Sequence, residues 1–174
     1  MSKNITMVED DNGLARRAIK CFIKQRTDEF SLIAKSVKQE CQLKESIKNG
    51  LLQIVKAEQS FEDIQTRVAG LNVMAILGLT KAPDVHRELC NLFTKSFDEC
   101  ELHELAVFEA LPKTKRCGLL CSRINLLQNL LQSLLHLSED RGLAIGEHVA
   151  EIFSGTRFGG KVVQWIQNGR EITQ

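Results

Sequence analysis

At 174 residues the chain is long enough to bury a core in one domain without disulfide support. Only two prolines interrupt it, tyrosine is absent and Trp165 is the single tryptophan, which excludes a β-sandwich or barrel composition and predicts an all-α protein. The net charge of +1 hides a segregation: Lys plus Arg against Asp plus Glu runs 11 to 8 over residues 1–60, 4 to 9 over 61–111 and 8 to 5 over 112–174.

The first predicted helix covers about Leu14 to Arg26, capped by Asp11 and Asn12, with Ile19, Phe22 and Ile23 facing inward. A second starts at Thr27, where Asp28 and Glu29 suit the positive end of the helix dipole, and buries Phe30, Ile33, Val37 and Cys41. Asn49-Gly50 reads as a stop, because both residues tolerate the left-handed conformation that ends helices. After a short helix at Leu51 to Lys56, Ser60 and Asp63 resemble a capping box for a core helix with Phe61, Ile64, Val68, Leu71, Ala75 and Leu79. Within it, Val68 to Leu79 is the longest apolar run, and its twelve residues are too few to span a membrane.

Pro83 suits the first position of the next helix, which buries Val85, Leu89, Leu92 and Phe93. An acidic helix from about Glu99 to Leu111 follows, ended by Pro112. Lys113, Lys115 and Arg116 then precede a leucine-rich helix, at the end where positive charge opposes the dipole. From Leu119 to Leu137, eleven of nineteen residues are apolar. At about 100° per residue Leu120, Ile124, Leu127, Leu131, Leu134 and Leu135 form one seam, and Leu119, Leu126, Leu130 and Leu137 a second. A stripe that wide needs neighbours on two sides, so this helix is expected at the centre of the assembly. Arg123 projects between the seams and needs water or an acidic partner. Two shorter helices, near Leu143 to Phe153 and Gly160 to Gln167, complete a single-domain helical bundle of about eight helices around that leucine-rich element, covering residues 1–174.

The face opposite the leucines carries Asn125, Gln128, Asn129, Gln132, Ser133 and His136, where a solvated helix would carry Lys and Glu. Amides bond across helices without the desolvation cost of charge. Asn125, Gln128, Asn129, Gln132 and His136, extended by Glu101 and Glu104, are therefore the expected partner-binding surface. The segregated charges read first as pairing within the chain and ordinary solvated faces, and in a sharper form as a homo-oligomer in which a basic flank of one copy meets the acidic middle of another.

Two alternatives rest on other residues. Arg16, Arg17, Lys20, Lys24 and Arg26 place positive charge along the first helix, continued by Lys35, Lys38, Lys44 and Lys48, as sequence-independent phosphate contact requires. Cys100, His103, Cys117 and Cys121 write the spacing C-x2-H-x13-C-x3-C, chemically adequate for tetrahedral zinc although not that of a standard finger. Six cysteines without an apolar leader in MSKNITMVEDDNG are expected to be reduced, in the cytoplasm or nucleus, and mostly to pack as small apolar residues.

Gly155 to Lys161 matches the start of the phosphate-binding pattern G-x-x-x-x-G-K, but Val162 stands where a Mg²⁺-binding hydroxyl belongs, so a simple interhelical turn is expected. The four histidines are scattered and no complete set of catalytic roles can be assembled. The sequence therefore predicts a non-catalytic protein–protein interaction module, an adaptor, regulator or assembly factor without membrane contact or resident cofactor. Nucleic-acid binding is the alternative, and a zinc-stabilised regulatory domain the third.

Overall fold

The computed structural model describes residues 11–56, 63–112, 118–136 and 139–173. Among them every regular element is helical, as the composition predicts. The nine α-helices among the described residues fall into two compact units, Met1–Leu79 and Thr80–Gln174.

The first unit holds α1 (Asp11–Ile23), α2 (Thr27–Gln39), α3 (Cys41–Lys56) and α4 (Ile64–Ile76). Helices α1, α3 and α4 pack on one another, and α2 packs against α1 and α3. Their core is Leu14, Ile19, Ile47, Leu51, Ile54, Val55, Leu71 and Met74, all nearly or fully buried. Helix α1 starts and stops about three residues before its expected limits. It ends on Gln25, at φ 57°, where the amides of Gln25 and Arg26 donate to the carbonyls of Phe22 and Cys21. This is a Schellman closure built without glycine.

Asn49-Gly50 stops nothing. Helix α3 runs through both residues to Lys56, and the break falls instead at the extended Glu40. Gly50 is buried within the unit, so packing outweighs the roughly 1 kcal/mol that glycine costs a helix interior. Asp63, expected as the far member of a capping box, is itself the N-cap of α4 and accepts from the Thr66 amide at 2.7 Å. The Thr66 amide, and after it the Thr66 side chain, holds its carboxyl below the usual carboxylate value. The expected partner Ser60, and Phe61 of the expected core face, lie outside the described residues.

The second unit holds α5 (Pro83–Ser96), α6 (Glu99–Glu109), α7 (Gly118–Leu134), α8 (Asp140–Ile152) and α9 (Arg157–Thr173), preceded at the boundary by a 3-10 turn, Leu79–Lys81. Pro83 opens α5 as expected, and Asp98 caps α6 by accepting from the Glu101 amide at 2.7 Å. Helix α7 touches α5, α6, α8 and α9, as its wide leucine stripe predicts, and α8 likewise touches every other helix of the unit. Ile124, Leu126, Leu127, Leu130, Leu131, Leu134 and Leu135 are buried, while Leu120 is half-buried. Leu137 and the side chain of Leu119 lie outside the described residues, as do Lys113, Lys115 and Arg116.

Helix α9 reaches further in both directions than the pattern suggested. Its first turn consumes the phosphate-loop lookalike: the Thr156 hydroxyl accepts from the Gly159 amide at 3.0 Å and donates to the Phe153 carbonyl at 2.7 Å. Gly159 lies so close to that carbonyl that a Cβ would collide with backbone. Gly159 serves close helix packing beside Phe153 and Phe158, whose rings meet edge to face at 4.9 Å, and Gly155 supplies the turn at φ 87°.

Candidate functional site

Arg123 bonds to two neighbouring helices of the second unit. Its guanidinium donates from Nε and Nη2 to the two carboxylate oxygens of Glu101, at 2.7 and 2.9 Å, and from Nη2 to the Ser96 carbonyl at 2.9 Å. It also lies 4.5 Å from the Phe97 ring centroid. Ser96 closes α5 and Glu101 stands in the first turn of α6, so each contact has the sign a helix end favours. One side chain on α7 thus fixes the corner between α5 and α6. Glu101, expected in the partner surface, is committed to this internal pair.

The amide strip is only partly open. Asn125 and Gln132 are exposed, Gln128, Asn129 and His136 are half-buried, and Ser133 is buried. Asn129 turns its amide back on its own helix, donating to the Asn125 carbonyl at 2.8 Å and side-chain oxygen at 3.1 Å. Gln132 therefore offers the strip's clearest outward amide.

Helix α6 presents a second outward surface. Leu102, Leu105 and Phe108 are buried on one side, yet Val107 is 69% exposed on the other, and Leu111, just past the helix end, is 39% exposed. Cys100, Glu104 and Val107 share one exposed stripe, at spacings of four and three residues, and Leu111 follows in the turn just past the helix end. A helix apolar on both faces normally meets a neighbour on both. The low contrast between its faces follows from a sequence in which aliphatic residues alternate with acids around the whole circumference.

Among the described residues of the first unit, two grooves are edged by three cations each. One, of about 430 Å³, lies between α2, the start of α3 and the end of α4. Ala34, Val37, Ile76 and Leu77 supply its apolar lining, and Lys35, Lys38 and Lys44 its rim. No acidic residue lines it, and Ile76 is 56% exposed. The other, of about 220 Å³, is lined by Arg16, Ile19, Lys20, Ile23, Lys24 and Thr66. Arg16, Lys20 and Lys24, four residues apart, form one row on α1. Arg17 and Arg26 leave that row and share Glu29, at 3.9 and 4.0 Å. Lys48 is buried beside Glu45, 3.1 Å away, and belongs to neither rim.

The zinc spacing meets different surroundings. Cys100, His103 and Cys121 are exposed, Cys117 lies outside the described residues, and His103 approaches Glu99 at 3.9 Å. Glu99 also takes both its oxygens to His148 Nε2, at 2.7 and 2.8 Å, bridging α6 and α8. Among the described residues no three His, Cys, Asp or Glu side chains converge on a point that could hold a metal.

The sequence reading missed a buried pair. His86 Nε2 lies 3.3 Å from the Leu134 carbonyl, and His86 Nδ1 lies 3.7 Å from Cys90 Sγ. A carbonyl only accepts, so Nε2 carries the proton and Nδ1 is free to receive the thiol hydrogen. His86 thereby satisfies a terminal carbonyl of α7. Burial pushes the Cys90 thiol up, and with Cys90 inaccessible the pair lacks the access and thiolate character a nucleophile needs. Cys21 is raised for the same reason, reinforced by Glu29. The four-residue spacing of His86 and Cys90 was the available signal.

Among the described residues no helix is long and apolar enough to cross a membrane. No family model, no curated protein and no solved structure matches this chain.

Proposed function

We propose that this chain is a non-catalytic helical interaction module that associates with itself, serving as an adaptor, regulator or assembly factor. The observation that carries the reading is α6, an eleven-residue helix that buries leucine and phenylalanine inward and still leaves Val107 69% exposed outward. Exposed aliphatic groups beside charged rims mark surfaces that gain by being covered. Gln132 and the neighbouring amides of α7 offer hydrogen bonds to the same end. Mass measurement of the native purified protein tests the proposal: a concentration-dependent oligomer supports it, and a monomer at every concentration removes it.

A second reading has its own observation. Arg16, Lys20 and Lys24 line one groove in a row with Ile23, a surface that could follow a phosphate backbone. Copurifying nucleic acid in the same mass measurement would favour it.

A further inference from the structure

We propose that the outer stripe of α6 docks into the lysine-rimmed groove of the first unit on a second copy of this chain. The inference rests on the self-association reading and names the two surfaces that meet.

The groove asks for an occupant that is both apolar and acidic. Its floor is aliphatic, and Ile76 is left 56% exposed at its edge. Lys35, Lys38 and Lys44 surround that floor, and none of the three makes an ion pair with a described residue. A phosphate backbone would satisfy the lysines but leave the floor uncovered, and no aromatic side chain lines the groove to stack a base. An amphipathic helix bearing carboxylates satisfies both parts at once.

The same chain carries such a helix. Residues 98–111 contain five acids, Asp98, Glu99, Glu101, Glu104 and Glu109, and no Lys or Arg. On the outer face the spacing from Cys100 through Glu104 to Val107 is that of a helix laid in a groove, where anchors recur every three or four residues, and Leu111 follows in the turn just beyond it. Val107 and Leu111 are the aliphatic anchors, and a cavity of about 430 Å³ has room for both. Glu104, which makes no ion pair with a described residue, is the carboxylate placed to meet the rim. Apolar contact then supplies the attraction, and the charges set orientation and encounter rate.

The test is sedimentation of the full chain over a wide concentration range at low and high salt. We expect the wild type to associate, less strongly as salt rises. Lys35→Glu with Lys38→Glu, or Glu104→Lys alone, should each weaken self-association by roughly tenfold or more, because like charges then face each other. Mixing those two variants should restore association, since the reversed rim and the reversed helix are complementary again. Val107→Gln provides a variant without a charge change and should weaken association at both salt concentrations. All four positions are exposed, so helicity by circular dichroism should be unchanged. If the wild type associates while the charge variants and Val107→Gln behave like it, or if mixing restores nothing, the α6–groove contact is wrong and self-association stands on another surface. A monomeric wild type at low salt would overturn the functional reading and this contact together.

Discussion

At the scale of single residues, the informative positions are those where backbone geometry and side-chain choice disagree. Gln25 holds φ at 57°, a region that costs an L-residue about 1–2 kcal/mol and that glycine enters freely. The two closing hydrogen bonds behind it require that conformation, so the site suits glycine although the chain uses glutamine. Gln25→Gly should therefore stabilise the first unit by roughly 0.5–1 kcal/mol, the relief of strain less the extra freedom glycine gains when unfolded. A shift of the urea midpoint upward, with unchanged slope, is the expected reading. Destabilisation would mean that the exposed Gln25 side chain contributes more than its backbone costs. Gly142 shows the reverse agreement. A Cβ there would lie 2.8 Å from His86 Nε2 and 2.9 Å from the Leu134 carbonyl, so glycine is what lets His86 reach the end of α7.

At the scale of elements, Arg123 joins three helices, and its energetics follow from what is left behind when it is removed. Arg123 and Glu101 side chains are 22% and 24% exposed, so the pair is substantially screened from water. Arg123→Met should cost about 2–3 kcal/mol in urea unfolding, because it strands the Glu101 carboxylate and the Ser96 carbonyl together. Glu101→Met in the Arg123→Met background should cost little more, since the stranded charge goes with it. Additive losses in that cycle would show that the two side chains act separately. The leucine stripe made α7 legible as a hub, because burial at a 3.6-residue period writes itself into the sequence. Arg123 was visible as an anomaly within the stripe, although its acid was not. Nothing in residue order specifies which of the many acids folds against a given cation. The limits of α1 and α3 were misread for a related reason: Gln25 ends a helix without a glycine signal, and Gly50 carries that signal inside one. Local propensities of about 1 kcal/mol yield wherever tertiary packing favours the other outcome. The outward stripe of α6 was hidden because apolar residues occur on both its faces, which erases the contrast that periodicity relies on.

At the scale of the whole molecule, charge is sorted by surface more than by unit. Lys plus Arg against Asp plus Glu is 12 to 10 in Met1–Leu79 and 11 to 12 in Thr80–Gln174, so neither unit is strongly polarised. What stands out is local: a lysine rim around an aliphatic groove, a row of three cations on α1, and a helix with four acids behind an aspartate cap. Affinity for a polyanion is set by how many phosphates are neutralised, and each contributes about 0.9 to the slope of log K against log salt on duplex DNA. A row of three cations therefore predicts a slope of about three, weak binding that disappears near physiological salt. On an immobilised duplex oligonucleotide, the full chain should be retained only at low salt, and Arg16→Glu with Lys20→Glu should abolish the retention while leaving self-association unchanged. Lys35→Glu with Lys38→Glu should do the opposite if the groove receives a helix. Retention that survives physiological salt with a slope several times steeper would require more phosphate contacts than the α1 row supplies. Both cationic surfaces would then lie along one nucleic-acid path, and the aliphatic floor around Ile76 would have no part in binding it.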